Sequence, residues 1–352
     1  MIKKIIEVGV NKIGDGQPCF LVAEIGLNHN GDLALAKDTI DAAVEAGASA
    51  VKFQNYKTED FLSDRTLTHE YRSDGEKITE SQYEMFKRCE LTVEMLSQLK
   101  DYSDQKGIIF FSTPTSIETL YDLTSIGVPI LKNGSDFLTH LPLVQAMAAT
   151  RIPTVLATGM STRLEIEDAV NSFRAAGGED LILLHCTSSY PTEPGDVHLR
   201  KIISLREKMD CLVGLSDHTH GITAGIGSVL LGACFIEKHF TLNKKLPGPD
   251  HSFSMDPVEF NELTKSIRTL ETQLGESELG PTLSETHGRQ NYRLSCVAKA
   301  DLEVGQIITS RDIGFSRPGG GLPPKMVELF IGKKVTSKIS KGNLLKKEGW
   351  FV

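Results

Sequence analysis

Short apolar runs alternate with amphipathic segments along most of the chain. The first run, Phe20–Gly26, is interrupted by one carboxylate at Glu24, and a segment of helical periodicity follows from Leu33 to Ala46. A second strand-like run covers Ala50–Gln54. Short apolar runs between turn residues indicate buried strands, and a period of 3.6 indicates a helix. These segments predict a βαβ unit with parallel strands.

The alternation then continues. Further strand-like runs are found at Ile108–Phe111, Ile130–Leu131, Thr154–Ala157, Leu181–Leu184, Leu212–Leu215 and Phe235–Ile236. Helical segments accompany them, at Val93–Gln105, Ser116–Ser125, Leu141–Ala149, Arg163–Ala176, Leu199–Met209, Ile222–Leu231 and Asp256–Leu274. About eight βα units favour a (β/α)8 TIM barrel over a doubly wound sheet, which usually has five or six strands. No glycine-rich dinucleotide turn or P-loop pattern is found.

Two regions depart from this alternation. The polar stretch from Glu59 to Arg88 is long for a βα loop, and such loops often cover active sites. Near the end of the chain, a polar segment without apolar periodicity precedes short strands and turns at Ser295–Ala298, Gln306–Ile308, Lys333–Val335 and Asn343–Leu345. We therefore predict a barrel domain over residues 1–280, a linker over 281–292 and a small, mostly β domain over 293–352.

Composition narrows the class of protein. The 352 residues carry a net charge of −8 without a basic block, which argues against nucleic acid as a partner. The N-terminus lacks the apolar segment of a signal peptide, and no run of about 18 apolar residues indicates a membrane span. The six cysteines form no CxxC pair, so we expect them to be reduced. These features predict a cytoplasmic protein.

Two histidines occupy matching positions after predicted strands. His218 and His239 each lie just beyond an apolar run, with Asp217 and Asp250 nearby in sequence. Two imidazoles from neighbouring strand ends suit a divalent metal that keeps open positions for substrate and water. The alternative is that both are ordinary histidines of polar loops.

Cationic and hydroxyl side chains are frequent at the predicted strand ends, where barrel enzymes have their active sites. They include Lys52, Thr113, Lys132, Ser135, Thr158, Thr187, Ser188, Tyr190 and Ser216, and the amide side chain of Gln54 lies at a strand end as well. Two lysines among several hydroxyl donors suit a phosphate plus a carboxylate on a small substrate. Glu24 could bind metal, pair with a lysine or transfer a proton. Without other information, Asp250 is a turn residue and Arg317 a surface arginine.

Many short motifs, in order, resemble those of the sialic acid synthase family, whose members make N-acetylneuraminate, legionaminate, pseudaminate and spore-coat sugars. They are Glu24-Ile25-Gly26-x-Asn28-His29, Val51-Lys52-x-Gln54, Ser112-Thr113-Pro114, Lys132-x-Gly134-Ser135, Thr158-Gly159-Met160, His185-Cys186-Thr187-x-x-Tyr190-Pro191, Leu215-Ser216-Asp217-His218-Thr219, Glu237-Lys238-His239-Phe240-Thr241 and Gly248-Pro249-Asp250-His251. The segment from about Ser295 to Glu348 resembles the family's C-terminal antifreeze-like (SAF) domain.

The resemblance implies condensation of phosphoenolpyruvate with the open-chain aldehyde of an N-acylated hexosamine. It implies that His218 and His239 bind Mn²⁺, or Mg²⁺ or Co²⁺, and that Glu24 is the acid/base. Phosphoenolpyruvate contacts are implied for Lys52, Thr113, Lys132, Ser135 and Ser216, and sugar contacts for Gln54, Tyr190 and Asp250. Ser188 is predicted to be a further substrate-binding residue. Arg317 is implied to reach the partner's sugar across a domain-swapped homodimer, which replaces the default interpretation of this arginine.

Three positions depart from the family pattern. Phe137 stands where a carboxylate often holds sugar hydroxyls, so we expect a less polar acceptor, such as a 6-deoxy diacetamido hexose. Asp136, directly before it, could turn in and take the same role. Ser188 replaces a frequent asparagine and Ala157 a frequent serine, and each change removes or shortens a possible phosphoenolpyruvate contact.

Two other functions compete with the synthase reaction. A Schiff-base aldolase would use Lys52, Lys132 or Lys238 as its nucleophile and need no metal. A carbohydrate-binding protein with a degenerate barrel would bind sugar without releasing phosphate. The lysines and histidines at the strand ends argue against the second, since an inactive barrel does not require them.

Overall fold

The computed structural model describes residues 4–73 and 75–346, and the chain divides into two units, Met1–Gly275 and Glu276–Val352. The strands of the first unit are β1 (Ile5–Val8), β2 (Asn11–Gly14), β3 (Phe20–Gly26), β4 (Ala50–Asn55), β5 (Thr68–Ser73), β6 (Glu76–Ser81), β7 (Ile109–Pro114), β8 (Leu131–Asn133), β9 (Thr154–Ala157), β10 (Leu181–Cys186), β11 (Leu212–Asp217) and β12 (Phe235–His239). Its helices are α1 (Leu33–Glu45), α2 (Thr58–Phe61), α3 (Gln82–Arg88), α4 (Val93–Lys106), α5 (Ile117–Ser125), α6 (Leu141–Ala149), α7 (Arg163–Ala175), α8 (Lys201–Met209), α9 (Thr223–Leu230) and α10 (Pro257–Leu274).

A parallel sheet of eight strands forms the centre of the first unit, in the order β7-β4-β3-β12-β11-β10-β9-β8. Strands β7 and β8, at the two ends of this order, also lie next to each other, so the sheet is a nearly closed barrel. This confirms the predicted (β/α)8 fold. Several strands extend beyond their predicted ends, because β7, β8 and β12 continue into the polar residues that follow each apolar run.

An antiparallel hairpin, β1–β2, packs against the barrel interior and was not predicted. Its residues Ile6, Val8 and Ile13 share one buried cluster with interior side chains of the barrel strands. Lys4 pairs with Asp210, two residues before β11 begins, so the hairpin lies at the amino ends of the strands. The opposite, carboxyl ends are therefore the open side of the barrel.

The insertion after β4 contains regular structure, whereas the sequence predicted a long loop there. Strands β5 and β6 pair in antiparallel register from Thr68 opposite Ser81 to Ser73 opposite Glu76, between helices α2 and α3. Their residues are exposed or half-buried, so they form no apolar run that would indicate strands.

The second unit has its own buried core. Helix α11 (Thr286–Asn291) lies inside the predicted linker 281–292, which is therefore partly helical. Strands β13 (Ser295–Ala298) and β14 (Ile313–Ser316) are antiparallel, and isolated bridges join Val297 to Leu344 and Ile307 to Lys334. Three of the predicted strands therefore appear as single bridges. The core includes Cys296, Phe330 and Ile339.

The cysteines and helices agree with the expectations from composition. All six cysteines are free and buried, which confirms that they do not form disulfides. Within residues 4–73 and 75–346, no helix combines the length and apolar character needed to cross a membrane.

Gly214 of β11 provides a test of packing below the open side of the barrel. A Cβ atom at this position would lie 2.3 Å from the Phe235 carbonyl oxygen and 2.6 Å from Leu184 Cδ2. We expect Gly214→Ala to lower the free energy of unfolding by about 2–3 kcal/mol, measured by urea denaturation. Gly195→Ala is the matched control, because no atom lies within 4 Å of its Cβ position. Equal stability of the two variants would contradict this packing.

Candidate active site

A cavity of about 1040 Å³ opens at the carboxyl ends of the barrel strands. The structure brings together there twelve of the residues singled out from the sequence: Glu24, Lys52, Gln54, Thr113, Lys132, Ser135, Ser188, Tyr190, Ser216, His218, His239 and Asp250. Thr158 and Thr187 do not line the cavity, and neither does Arg317. It belongs to the second unit, where its guanidinium carbon lies 5.3 Å from the centre of the Tyr292 ring.

Two lysines and two glutamates form a buried cluster at the base of this cavity, here called the four-charge cluster (Glu24, Lys52, Lys132 and Glu237). Lys52 Nζ lies 2.9 Å from Glu24 Oε2 and 3.6 Å from Glu237 Oε1. Lys132 Nζ lies 3.3 Å from the same Glu237 oxygen. Each of the four residues is at most 5% exposed. Glu237 Oε1 therefore joins both ammonium groups.

Burial and mutual attraction act against each other in this cluster. Burial raises the pKa of Glu24 to about 7, although the neighbouring Lys52 ammonium opposes the shift. Burial would lower the pKa of Lys52, but the carboxylates of Glu237 and Glu24 raise it overall. Burial would raise the pKa of Glu237, but Lys132 and Lys52 lower it overall. Near neutral pH, Glu24 is thus the member able to gain or lose a proton.

Strand alternation separates two sets of side chains on β11 and β12. Glu237 and His239 line the cavity together with Ser216 of the neighbouring strand. Lys238, one residue from each, points the other way, and its Nζ lies 2.8 Å from Asp217 Oδ2. Successive residues of a strand face opposite sides, so this buried pair is structural. Asp217 and Lys238 are therefore not available for metal binding or Schiff-base chemistry in the cavity.

The two imidazoles predicted to bind metal lie side by side. The His218 and His239 ring centres are 5.4 Å apart, and His218 Nδ1 donates a hydrogen bond to the Thr187 carbonyl oxygen at 2.9 Å. That bond leaves His218 Nε2 with a lone pair. His239 Nδ1 is buried without a hydrogen-bond partner, 3.6 Å from Asp250 Oδ2.

The charges around the imidazoles favour metal binding at His239 more than at His218. Burial, His218 and nearby lysines hold the pKa of His239 well below its usual range, which favours the neutral, metal-binding form. Burial would lower the pKa of His218, but Cys186 raises it overall. In the described ranges, no group of three or more His, Cys, Asp or Glu side chains is arranged to hold a metal. A metal here would take its other ligands from substrate and water.

Hydroxyl and backbone donors converge beside the four-charge cluster. Lys52 Nζ donates to Thr113 Oγ1 at 3.0 Å, and the Gly159 N–H donates to Ser135 Oγ at 3.0 Å. A Cβ atom on Gly159 would come within 2.3 Å of Ser188 Oγ and 2.7 Å of Ser135 Oγ. Only glycine leaves the two serines this close, and such a concave set of donors suits an anion.

The upper wall of the cavity is aromatic. The Tyr190 ring centre lies 4.2 Å from that of His218 and 5.5 Å from that of Phe253. Phe137 also lines the cavity, at the end of the short 3₁₀ segment Ser135–Phe137, with Asp136 exposed beside it. This wall can contact the less polar parts of a substrate.

Glu237 is the principal site residue that was not predicted. The sequence motif placed it beside His239, but only the histidine was selected. A signal was present, because a residue two positions before a cavity-lining residue of a strand faces the same side. Its bond to Lys132, 105 positions away in the sequence, had no such signal.

The fold and the site define the chain as a TIM-barrel enzyme. The NeuB family model matches residues 39–279, and the SAF domain model matches residues 295–349. The chain therefore belongs to the NeuB family, as the motifs indicated, and the small second unit contains its SAF domain.

Relatives and solved structures agree with this assignment. An uncharacterized protein of Methanocaldococcus jannaschii is 42% identical, covering 94% of both chains. The N,N'-diacetyllegionaminic acid synthase of Legionella pneumophila is 39% identical over 96% of each chain. A crystal structure of the N-acetylneuraminic acid (sialic acid) synthetase of Leptospira borgpetersenii is 35% identical, with a TM-score of 0.73 over 81% of this chain and 95% of that one. The chain is thus an enzyme of the sialic acid synthase type.

Neutralising Glu237 tests the four-charge cluster. Glu237→Gln removes the carboxylate that joins Lys52 and Lys132, so the buried Lys132 ammonium loses its paired carboxylate and Lys52 is left with Glu24. We expect the free energy of unfolding, measured in urea at pH 7, to fall by about 3 kcal/mol.

The matched control for this substitution is Glu179→Gln. Glu179 pairs with Arg151 at 3.5 Å, and its side chain is 87% exposed. Its loss should change the stability by less than about 0.5 kcal/mol. A Glu237→Gln protein as stable as the Glu179→Gln protein would show that the cluster does not balance its charges as described.

Proposed function

We propose that this enzyme condenses phosphoenolpyruvate with an N-acylated hexosamine to give a nonulosonic acid and inorganic phosphate. One observation carries the proposal. Two buried lysines and two adjacent imidazoles occur together at the base of one cavity. Membership of the NeuB family and the names of the relatives support it. The general class, nonulosonic acid synthesis, follows from these relatives, while phosphoenolpyruvate and the acceptor are proposed.

The phosphoenolpyruvate anion would bind at the base of the cavity. Lys52 and Lys132 supply positive charge, and hydroxyl donors surround them, at Thr113, Ser135, Ser188 and Ser216. In the free protein the glutamates already balance the lysines, so an incoming anion must displace part of that pairing. Glu24 can take up a proton at this point, because burial raises its pKa to about 7. Proton uptake would weaken the pairing of Lys52 with Glu24, so that Lys52 could bind the anion.

The acceptor sugar would occupy the wider part of the cavity. We assign Gln54, Tyr190 and Asp250 to it, since all three line the cavity near the imidazoles. Gln54 Nε2 also donates to Glu24 Oε1 at 3.1 Å, which connects the sugar contacts to the proposed acid/base. Arg317 would contact the sugar of the partner subunit in a domain-swapped homodimer, as the family resemblance implies.

His218 and His239 would hold the divalent metal, which we propose to be Mn²⁺. When bound, the metal would polarise the aldehyde oxygen of the acceptor. The π electrons of phosphoenolpyruvate form the new bond between its C3 and the aldehyde carbon, and Glu24 donates a proton to the resulting alkoxide. Water adds to the cationic C2 and loses a proton, and the C2–O bond then breaks to release phosphate.

Phosphate release tests this proposal directly. Purified protein with Mn²⁺, phosphoenolpyruvate and either N-acetylmannosamine or a 6-deoxy diacetamido hexose should release phosphate, and EDTA should abolish the release. His239→Gln should lower kcat by roughly 100-fold or more. His140→Asn is the control, because His140 lies outside the cavity lining and Asn retains the capping role. No release with either sugar by folded, metal-loaded protein would contradict the proposal.

The competing functions have less support. An aldolase nucleophile must be a neutral amine, whereas neighbouring carboxylates raise the pKa of Lys52, and Lys238 faces away from the cavity. Metal-independent turnover would favour the aldolase. A sugar-binding protein would not need two buried lysines beside two imidazoles. Its signature would be sugar binding without any phosphate release.

Phe137 allows a test of acceptor choice. A phenyl ring at this position accepts a methyl or deoxy carbon better than a hydroxyl group. We expect the protein to prefer the 6-deoxy diacetamido hexose, and Phe137→Glu to shift the kcat/KM ratio toward N-acetylmannosamine by about tenfold. Phe137→Leu is the control, since it remains apolar and should retain the preference. An unchanged ratio in Phe137→Glu would contradict this role, and loss of N-acetylmannosamine use in Asp136→Asn would assign it to Asp136.

A further inference from the structure

The hairpin β5–β6 contributes a wall of the cavity that no sequence motif indicated. Five of its residues line the cavity: His69, Glu70, Tyr71, Arg72 and Lys77. The barrel strand ends supply the charged base, so the hairpin lines a different part of the same cavity. A substrate that extends beyond the four-charge cluster can therefore contact it.

The hairpin presents two aromatic rings in a fixed arrangement. His69 and Tyr71 are two positions apart on one strand, which places both on the same face. Their ring centres are 5.9 Å apart with an angle of 24° between the planes. Both residues are half-buried. They form a surface of two nearly parallel rings at the cavity wall.

Hydrogen bonds hold this surface in position. The Tyr71 hydroxyl donates to Glu80 Oε1 at 2.8 Å, and Arg88 donates to both oxygens of Glu80 at 2.9 and 3.0 Å. The backbone of Arg88 packs against the turn after β3, since a Cβ atom on Gly31 would lie 2.3 Å from the Arg88 carbonyl oxygen. The ring of Tyr71 is thus connected to the barrel through helix α3.

The charges of the hairpin largely cancel. Lys77 Nζ pairs with Glu70 Oε2 at 2.7 Å, and Arg88 pairs with Glu80. Arg72 also lines the cavity, and among the described residues it has no ion-pair partner. Paired charges around two ring faces suit the apolar face of a sugar better than a second anion, because flat CH surfaces stack on aromatic rings without desolvating charge.

We propose that His69 and Tyr71 form a stacking wall for the acceptor sugar, contacting its apolar face or an N-acyl group away from the reacting aldehyde. The inference rests on the proposed function and deepens it, because it assigns acceptor specificity to the insertion after β4. Stacking of this kind affects binding of the acceptor more than the chemical step, so it should appear in KM.

Steady-state kinetics of phosphate release, with each substrate varied in turn, test the wall. Tyr71→Ala should raise KM for the preferred acceptor about 5- to 10-fold and leave kcat and the phosphoenolpyruvate KM within about twofold. His69→Ala should act in the same direction. Tyr71→Phe keeps the ring and loses only the bond to Glu80, so its acceptor KM should remain within about threefold of the wild-type value.

Tyr83→Ala is the matched control. Tyr83 belongs to the same insertion but lies outside the cavity lining, bonded to Glu59 at 2.9 Å. Its loss should leave both KM values unchanged. Wild-type-like acceptor KM in both Tyr71→Ala and His69→Ala would overturn the stacking wall while leaving the proposed function intact.

Two further outcomes separate the alternatives. If Arg72→Ala raises the acceptor KM and the aromatic variants do not, the hairpin recognises an anionic group and the stacking inference is wrong. Absence of phosphate release by the wild-type protein with every acceptor would overturn the proposed function, and the inference with it. Phosphate release by the wild-type protein, together with an unchanged acceptor KM in the aromatic variants, would overturn the inference alone.

Discussion

The balance of four buried charges is the constraint on which the rest of this site depends. Lys52 and Lys132 are each 3% exposed, and an unpaired ammonium at such a depth is strongly unfavourable. Glu24 pairs with Lys52, and Glu237 pairs with both lysines. In the proposed reaction, an anionic substrate would replace part of this pairing, which would couple binding of the anion to the proton on Glu24. Under the proposed function, the same four residues would balance one another's charge and also receive a small acid.

The barrel supplies this arrangement through simple geometry. Parallel strands end together, so side chains far apart in sequence meet at one edge. Alternation along β12 directs Glu237 and His239 into the cavity and Lys238 toward Asp217. The hairpin β1–β2 packs at the amino ends of the strands and leaves the carboxyl ends open. The insertion after β4 then adds a wall to the open side, where changes need not disturb the barrel.

The sequence predicted the barrel well because parallel strands are continuous apolar runs and the helices between them have a clear period. It did not predict β5–β6, whose exposed strands carry no such run, or the helix inside residues 281–292. Eleven of the cavity residues could be found at the strand ends, and Asp250 in a later motif. Their pairing could not, because the partners of Lys52 come from other strands and their distances depend on the closed sheet. Glu237 was overlooked although its position two residues before His239 indicated it.

The fate of the oxygen that joins C2 to phosphorus tests the central proposal most directly. Phosphoenolpyruvate carrying ¹⁸O at this bridging position would be turned over with an accepted hexosamine, and both products analysed by mass spectrometry. Attack of C3 on the aldehyde, addition of water at C2 and cleavage of the C2–O bond predict that the label appears in inorganic phosphate. Label retained in the sugar product would mean that the P–O bond breaks, which would contradict the mechanism built on this site.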